Sequence, residues 1–124
     1  MTPIKVMVAD DHRMVREGLV SILESLPGAN VVAQASDGIE AVEMAREKRP
    51  DVLVVDIAMP RLNGLEVVRR VKEDNPEMGV LVLTMHEEEE YVVHLVKAGA
   101  DGFLLKDSAG DELLAAVKSI HAGR

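Results

Sequence analysis

The chain has 124 residues, 48% of them hydrophobic, with 22 acidic against 14 basic side chains and a formal charge of −8. That length suits one domain burying roughly two thirds of its unfolded surface, and the composition excludes disorder. Absence of cysteine excludes disulfides and thiolate metal sites and fits a reducing cytoplasm.

From the N-terminus, short apolar runs alternate with amphipathic stretches. The run IKVMVA (4–9) is followed by Val15, Leu19, Ile22, Leu23 and Leu26, which recur at helical spacing. NVVAQA (30–35) precedes a second helical stretch marked by Ile39, Val42 and Ala45, with Ser36 or Asp37 as its cap. DVLVVD (51–56) and GVLVLT (79–84) are nearly continuous Val and Leu, as parallel strands covered on both faces should be. Between them, Leu65, Val68 and Val71 mark a third helix after an Asn63-Gly64 turn signal. Val92, Leu95 and Val96 mark a fourth, GFLLK (102–106) a fifth strand, and Leu113, Val117 and Ile120 a fifth helix. Pro27-Gly28, Pro50, Pro60, Pro76, Gly99 and Gly110 are expected between elements. No apolar run approaches the ~20 residues that span a bilayer, and no basic-plus-apolar leader opens the chain. Five strands alternating with five helices predict a single α/β domain over residues 1–124. Right-handed crossovers favour a doubly wound parallel sheet in the flavodoxin-like order 2-1-3-4-5.

In such sheets function collects beyond the carboxyl ends of the strands. The first strand ends in Asp10-Asp11, the third in Asp56, the fourth in Thr84 and the fifth in Lys106; the second ends in nothing comparable. Taken singly, each has an ordinary explanation. Asp10 or Asp11 can cap the helix starting near His12, Thr84 is a common strand residue, and Lys106 can be a solvated strand-end lysine. Their convergence on one rim is what points to a site. Three close carboxylates repel unless a cation sits among them. With oxygen ligands and no cysteine that cation is Mg²⁺, while His12 raises a softer metal or, as a residue at a helix start, a surface role. A carboxylate nucleophile beside Mg²⁺, a lysine and a threonine is a phosphoryl-transfer layout.

The acidic pair in VMVADDH, the aspartate and Met-Pro of VVDIAMP, the NG turn, the threonine of LVLTM and the lysine of GFLLKD together resemble the receiver domain of bacterial two-component response regulators. The resemblance spans the whole chain. GADGFLLKD and VADDHRMVREGL resemble the NarL/FixJ class, whose members usually carry a C-terminal helix-turn-helix DNA-binding domain. It implies a CheY-like fold and a cytoplasmic signalling switch rather than an enzyme, one that assists its own Mg²⁺-dependent phosphorylation and dephosphorylation. Asp56 would accept phosphate from a sensor histidine kinase. Asp11, Asp56 and the main-chain carbonyl of Ala58 would ligate Mg²⁺ directly, with Asp10 acting through a metal-bound water. Thr84 would hydrogen-bond a phosphoryl oxygen, Lys106 would pair with it, and Phe103 would be the aromatic switch partner of Thr84. The same resemblance implies an excised piece of a longer transcription regulator that dimerises on phosphorylation, rearranges its helix 4–strand 5–helix 5 face, and touches DNA only through the output domain.

Several residues depart from that pattern or carry less. Asp107 follows the lysine where proline is common, so the isomer of the Lys106–Asp107 bond is left open. Phe103 lacks the hydroxyl of the commoner tyrosine. Ala58 and His86 flank the site where relatives tune phosphoryl lifetime. The acids of HEEEE (86–90) suit a helix N-terminus; Lys97, Asp101 and Lys118 offer charged pairs for a dimer. His94 and His121 are expected at the surface, and Leu19, Ile22 and Leu23 in the core or, less simply, on a kinase-docking face. Three rival functions fit the fold. A flavin protein needs a hydroxyl- and glycine-rich loop where this chain has Asp-Asp-His-Arg. An aspartyl-nucleophile phosphatase needs an acid at position 58, which is Ala. A phosphorylation-independent interaction module would be expected to lose part of a set that is complete here. An acidic chain with one Phe, one Tyr and no Trp is a poor nucleic-acid binder by itself.

Overall fold

The apolar runs form β1 (Ile4–Ala9), β2 (Ala29–Ala35), β3 (Val52–Asp56), β4 (Gly79–Thr84) and β5 (Gly102–Leu105). The amphipathic stretches form α1 (Arg13–Glu24), α2 (Gly38–Lys48), α3 (Gly64–Asp74), α4 (Glu89–Ala98) and α5 (Ala109–His121). The computed structural model describes residues 3–25, 27–59, 61–84, 89–106 and 109–123. Leu26, Pro60, His86 with the acids at 87–88, and Asp107 with its bond to Lys106 lie outside the described residues.

All strand pairs are parallel and the order is β2-β1-β3-β4-β5, as the alternation predicts. Successive strand residues point to opposite faces, and both faces are buried. Val6, Val8, Val54, Leu81 and Leu83 meet Leu19 and Leu23 of α1 and Leu113 and Val117 of α5. Met7, Leu53, Val55, Val80 and Val82 meet Val42, Val67, Val68 and Leu95 of α2, α3 and α4 on the other side. This double burial is why β3 and β4 read as unbroken Val and Leu rather than as an alternation. The chain leaves β1 towards β2 on one side and β3 on the other. The carboxyl ends of β1 and β3 are therefore the topological switch point, where ligands bind in such sheets.

Local chemistry sets several boundaries differently from the sequence expectation. Of the two proposed α2 caps, Asp37 is used: its Oδ1 accepts from Glu40 N at 2.8 Å. Asn63-Gly64 is a cap and first helical residue rather than a free turn, with Asn63 Oδ1 accepting from Glu66 N at 3.1 Å. Gly110 lies inside α5, not before it. Glycine in a helix costs only about 1 kcal/mol, which the buried Leu113 and Val117 offset easily. Val15 and Val96 carry the helical spacing yet are exposed, so the apolar stripes of α1 and α4 are narrower than periodicity alone suggests.

Gly38 has a steric reason. A Cβ there would fall 1.8 Å from the Leu62 carbonyl oxygen, which is backbone and cannot swing aside. Gly38→Ala is therefore expected to force α2 away from the loop preceding α3 and to lower stability by about 3 kcal/mol. Urea unfolding measures this directly; a loss within error of zero would mean that the loop yields freely.

Candidate functional site

Each rim residue is held by the strand it terminates. Asp10 N donates to Ala35 O at 3.0 Å, continuing the β1–β2 ladder one residue past β1. Asp56 is the last residue of β3 and pairs with Leu83, and Ile57 N donates to Leu83 O at 3.1 Å. Both carboxylates thus stand on hydrogen-bonded backbone. Neither Asp10 nor Asp11 is the N-cap of α1; His12 takes that position. Asp10 Oδ1 accepts instead from His12 N at 2.8 Å. Arg16, one turn into α1, reaches back to donate from Nη1 to the Asp10 carbonyl at 2.7 Å. This tether fixes the β1–α1 loop, and composition or spacing offers no sign of it beyond an arginine on the helix that follows the acids.

Lys106, directly after β5, lies between the two buried acids. Its Nζ is 2.9 Å from Asp56 Oδ2 and 3.0 Å from Asp10 Oδ2. The lysine side chain is 7% exposed, Asp10 0% and Asp56 1%, so all three are desolvated together. Ala58 N donates to Asp56 Oδ1 at 3.2 Å, bringing the Ala58 backbone to the site while its methyl group faces solvent. Asp11 is partly buried beside them. Asp11 Oδ1 and Asp10 Oδ2 are buried without an aligned hydrogen bond, the latter facing Lys106 across the ion pair. One ligand atom from each of Asp10, Asp11, His12 and Asp56 lies within 4.8 Å of the others.

The electrostatics follow from two buried carboxylates sharing one ammonium. Burial raises the pKa of Asp56 above the usual carboxylate value, and the Asp10 charge adds to this; Lys106 and the Ala58 N–H offset it only in part. Burial pushes Lys106 down, but the adjoining Asp56 and Asp10 carboxylates outweigh that and leave it raised. The lysine is thus firmly charged, while Asp56 is a carboxylate of increased basicity. Buried acid oxygens without an aligned hydrogen bond, beside two carboxylates that share one ammonium, fit a small hard cation with oxygen ligands.

The remaining expected residues sit around this centre. Thr84 ends β4, buried, one position past the Asp56–Leu83 pair. Phe103 is partly buried on the α2–α3–α4 face, packed against the core that includes Val80 and Val82. Among the described residues no side-chain hydrogen bond joins Thr84 or Phe103 to the acids. Leu19 and Leu23 are buried, so the core explanation of the α1 stripe holds for them and they line no docking face. Asp101 is already engaged within the molecule, accepting from Val80 N at 2.8 Å and pairing with Lys72 Nζ at 2.8 Å. It has less to offer a second copy than its sequence position suggests. His94 and His121 are at the surface.

The profile described as response regulator receiver domain matches residues 6–118. The transcriptional regulatory protein DegU of Brevibacillus brevis is 43% identical over 120 residues, covering 97% of this chain and 51% of that protein. The oxygen regulatory protein NreC of Staphylococcus epidermidis is 42% identical over 121 residues, covering 97% and 56%. The chain thus spans about half the length of these relatives. Among solved structures, the signal receiver domain of NarL from Mycobacterium tuberculosis superposes with a TM-score of 0.95 at 37% identity, each chain covered completely. The response regulator domain of CheB from Thermotoga maritima gives 0.92 at 30%, covering 99% of both.

Proposed function

Because this chain belongs to the response regulator receiver domains of two-component systems, in the NarL/FixJ class of transcriptional regulators, we propose that it is a phosphorylation switch with Asp56 as phosphoacceptor. The observation that carries this is Lys106 buried against both Asp10 and Asp56, with an Asp10 and an Asp11 oxygen left without an aligned hydrogen bond. An Asp56 oxygen attacks the phosphorus of a phosphohistidine on a sensor kinase, forming a P–O bond as the P–N bond breaks. Burial favours this step by making Asp56 more basic, and the β3 backbone keeps it from turning away. Asp11, Asp56 and the Ala58 carbonyl would hold Mg²⁺, with Asp10 assisting. When bound, the ion neutralises charge on the carboxylates and on the transferred oxygens. Lys106 is already within ion-pair distance of Asp56 Oδ2 and accompanies the phosphoryl group that replaces that charge. Thr84 donates its hydroxyl to a phosphoryl oxygen, and Phe103 changes rotamer with it.

Moving a two-state ensemble from 1:99 to 99:1 takes roughly 5.5 kcal/mol of differential stabilisation. Contacts from Thr84 and Lys106 made only in the phosphorylated arrangement are the source we assign. The responding surface is α4, β5 and α5, and its output is dimerisation or release of a DNA-binding domain. The relatives' roughly double length and regulatory names support a further domain joined to this one; we place this domain N-terminal to it, in a cytoplasmic regulator. Among the described residues no helix is long and apolar enough to cross a membrane.

Intact-mass spectrometry after incubation with acetyl phosphate tests the reading. One phosphoryl adduct is expected on the native chain with Mg²⁺, and none with EDTA or in Asp56→Asn. A stable adduct in Asp56→Asn would move the acceptor elsewhere. If neither an adduct nor a beryllofluoride-induced change is found in the native chain, the domain is an interaction module with an unused site.

A further inference from the structure

The acid cluster contains a nitrogen that the phosphoswitch does not use. His12 is the N-cap of α1, where Ser, Thr, Asp or Asn would satisfy a free helix N–H, yet its side chain makes no capping hydrogen bond. It turns instead towards the acids. Its Nδ1 is 3.2 Å from Asp11 Oδ1 and 3.4 Å from Asp10 Oδ1, although the ring is 63% exposed and has open solvent to turn into. Two ligands about 2.1 Å from one ion are separated by about 3.0 Å at a right angle and about 3.4 Å at the tetrahedral angle. The His12–Asp11 and His12–Asp10 separations lie at that edge length. Asp10 is fully buried, and its Oδ2, like Asp11 Oδ1, has no aligned hydrogen bond.

We propose that His12 is a metal ligand that extends the site from hard cations to imidazole-seeking divalent ions such as Ni²⁺, Co²⁺ and Zn²⁺. This rests on the acid cluster being the metal site of the proposed function, and it adds a specificity that the acids alone lack. Mg²⁺ takes oxygen and gains little from a nitrogen donor, whereas Ni²⁺, Co²⁺ and Zn²⁺ bind imidazole well. Lys106 Nζ also lies 3.4 Å from His12 Nδ1. On loading it keeps Asp56 Oδ2 and gives up its contacts with Asp10 and His12. The site then responds to two classes of ion: Mg²⁺ through Asp10, Asp11 and Asp56, and transition ions through those acids with His12.

Calorimetric titration of the chain with MgCl₂ and with NiCl₂ tests this, on the native protein and on His12→Ala, His94→Ala and Asp11→Asn. His12→Ala is expected to bind Ni²⁺ at least about tenfold more weakly and Mg²⁺ unchanged. His94→Ala should match the native protein for both ions, and Asp11→Asn should lose both. In parallel, Ni²⁺ should broaden the His12 imidazole resonances before those of His94 and His121. Ni²⁺ affinity unaffected by His12→Ala, or Ni²⁺ binding that survives Asp11→Asn, overturns the proposal. If Mg²⁺ then still binds the native chain, the metal site of the phosphoswitch stands and only the role of His12 falls. If Mg²⁺ fails to bind while Ni²⁺ binding depends on His12, the reverse holds. Circular dichroism melts verify that each variant is folded.

Discussion

Lys106→Met should be the most damaging single replacement at the rim, lowering stability at pH 7 without divalent ions by about 3 kcal/mol. Methionine nearly matches the volume, so the loss is one of charge. Asp10 and Asp56, both buried, are left facing each other without the ammonium that spans them. Acidification should restore much of the loss, because protonating Asp56 removes the charge that has lost its partner. The native chain carries a matching alkaline signature. A lysine whose folded pKa is raised contributes stability that is complete below its ordinary value of 10.5 and is lost as pH rises through the higher folded value. Urea unfolding of both proteins at pH 5, 7 and 11 gives the comparison. Equal stability at pH 7 would show that Lys106 does not neutralise the acid pair.

Asp56→Asn should do the opposite in the absence of metal. Burial leads the rise of the Asp56 pKa, so the folded state holds this proton more tightly than the unfolded chain does. Folded stability then falls as pH rises from the ordinary value of 3.8 through the raised folded value. Asparagine never ionises. The variant should therefore be the more stable of the two at pH 7, with the higher Tm, and the gain should vanish below pH 3.8. Adding Mg²⁺ should reverse the ranking. An ion at 100 times its Kd stabilises by about 2.7 kcal/mol, and only the native chain has the full acid set to receive it. Melts in EDTA and in MgCl₂ give both halves. A variant less stable than the native chain in EDTA would contradict the raised pKa.

Most of this site was legible in the sequence because strand ends are easy to read and parallel strands are ordered by few rules. Asp10, Asp56 and Lys106 follow apolar runs directly, so once the order 2-1-3-4-5 is expected, their meeting follows. The residues whose roles were missed act through side-chain direction, which periodicity does not encode. His12 points towards the acids rather than capping α1, and Arg16 reaches back over a full turn to the Asp10 carbonyl. Asp101 is occupied by Val80 N and Lys72, contacts that depend on the β4–β5 edge and α3 being in place. Two glycines depart from the turn role that their sequence context suggests. Gly110 is tolerated within α5 because its penalty is small, while Gly64 opens α3 because the neighbouring backbone leaves no room for anything larger.

That crowding at Gly64 bears on how such a domain can change over generations. A Cβ on Gly64 would lie 2.5 Å from Ile57 Cα and 2.9 Å from the Asp56 carbonyl, and Gly64 N donates to Ile57 O at 2.8 Å. Gly64 is thus fixed against the backbone just after Asp56, and larger residues are excluded at that position. Met14 and Val15, by contrast, lie exposed on the outer side of α1, within a few residues of the same acids. Substitutions on that outer surface can change what it offers to other molecules while leaving the packing around the acids intact.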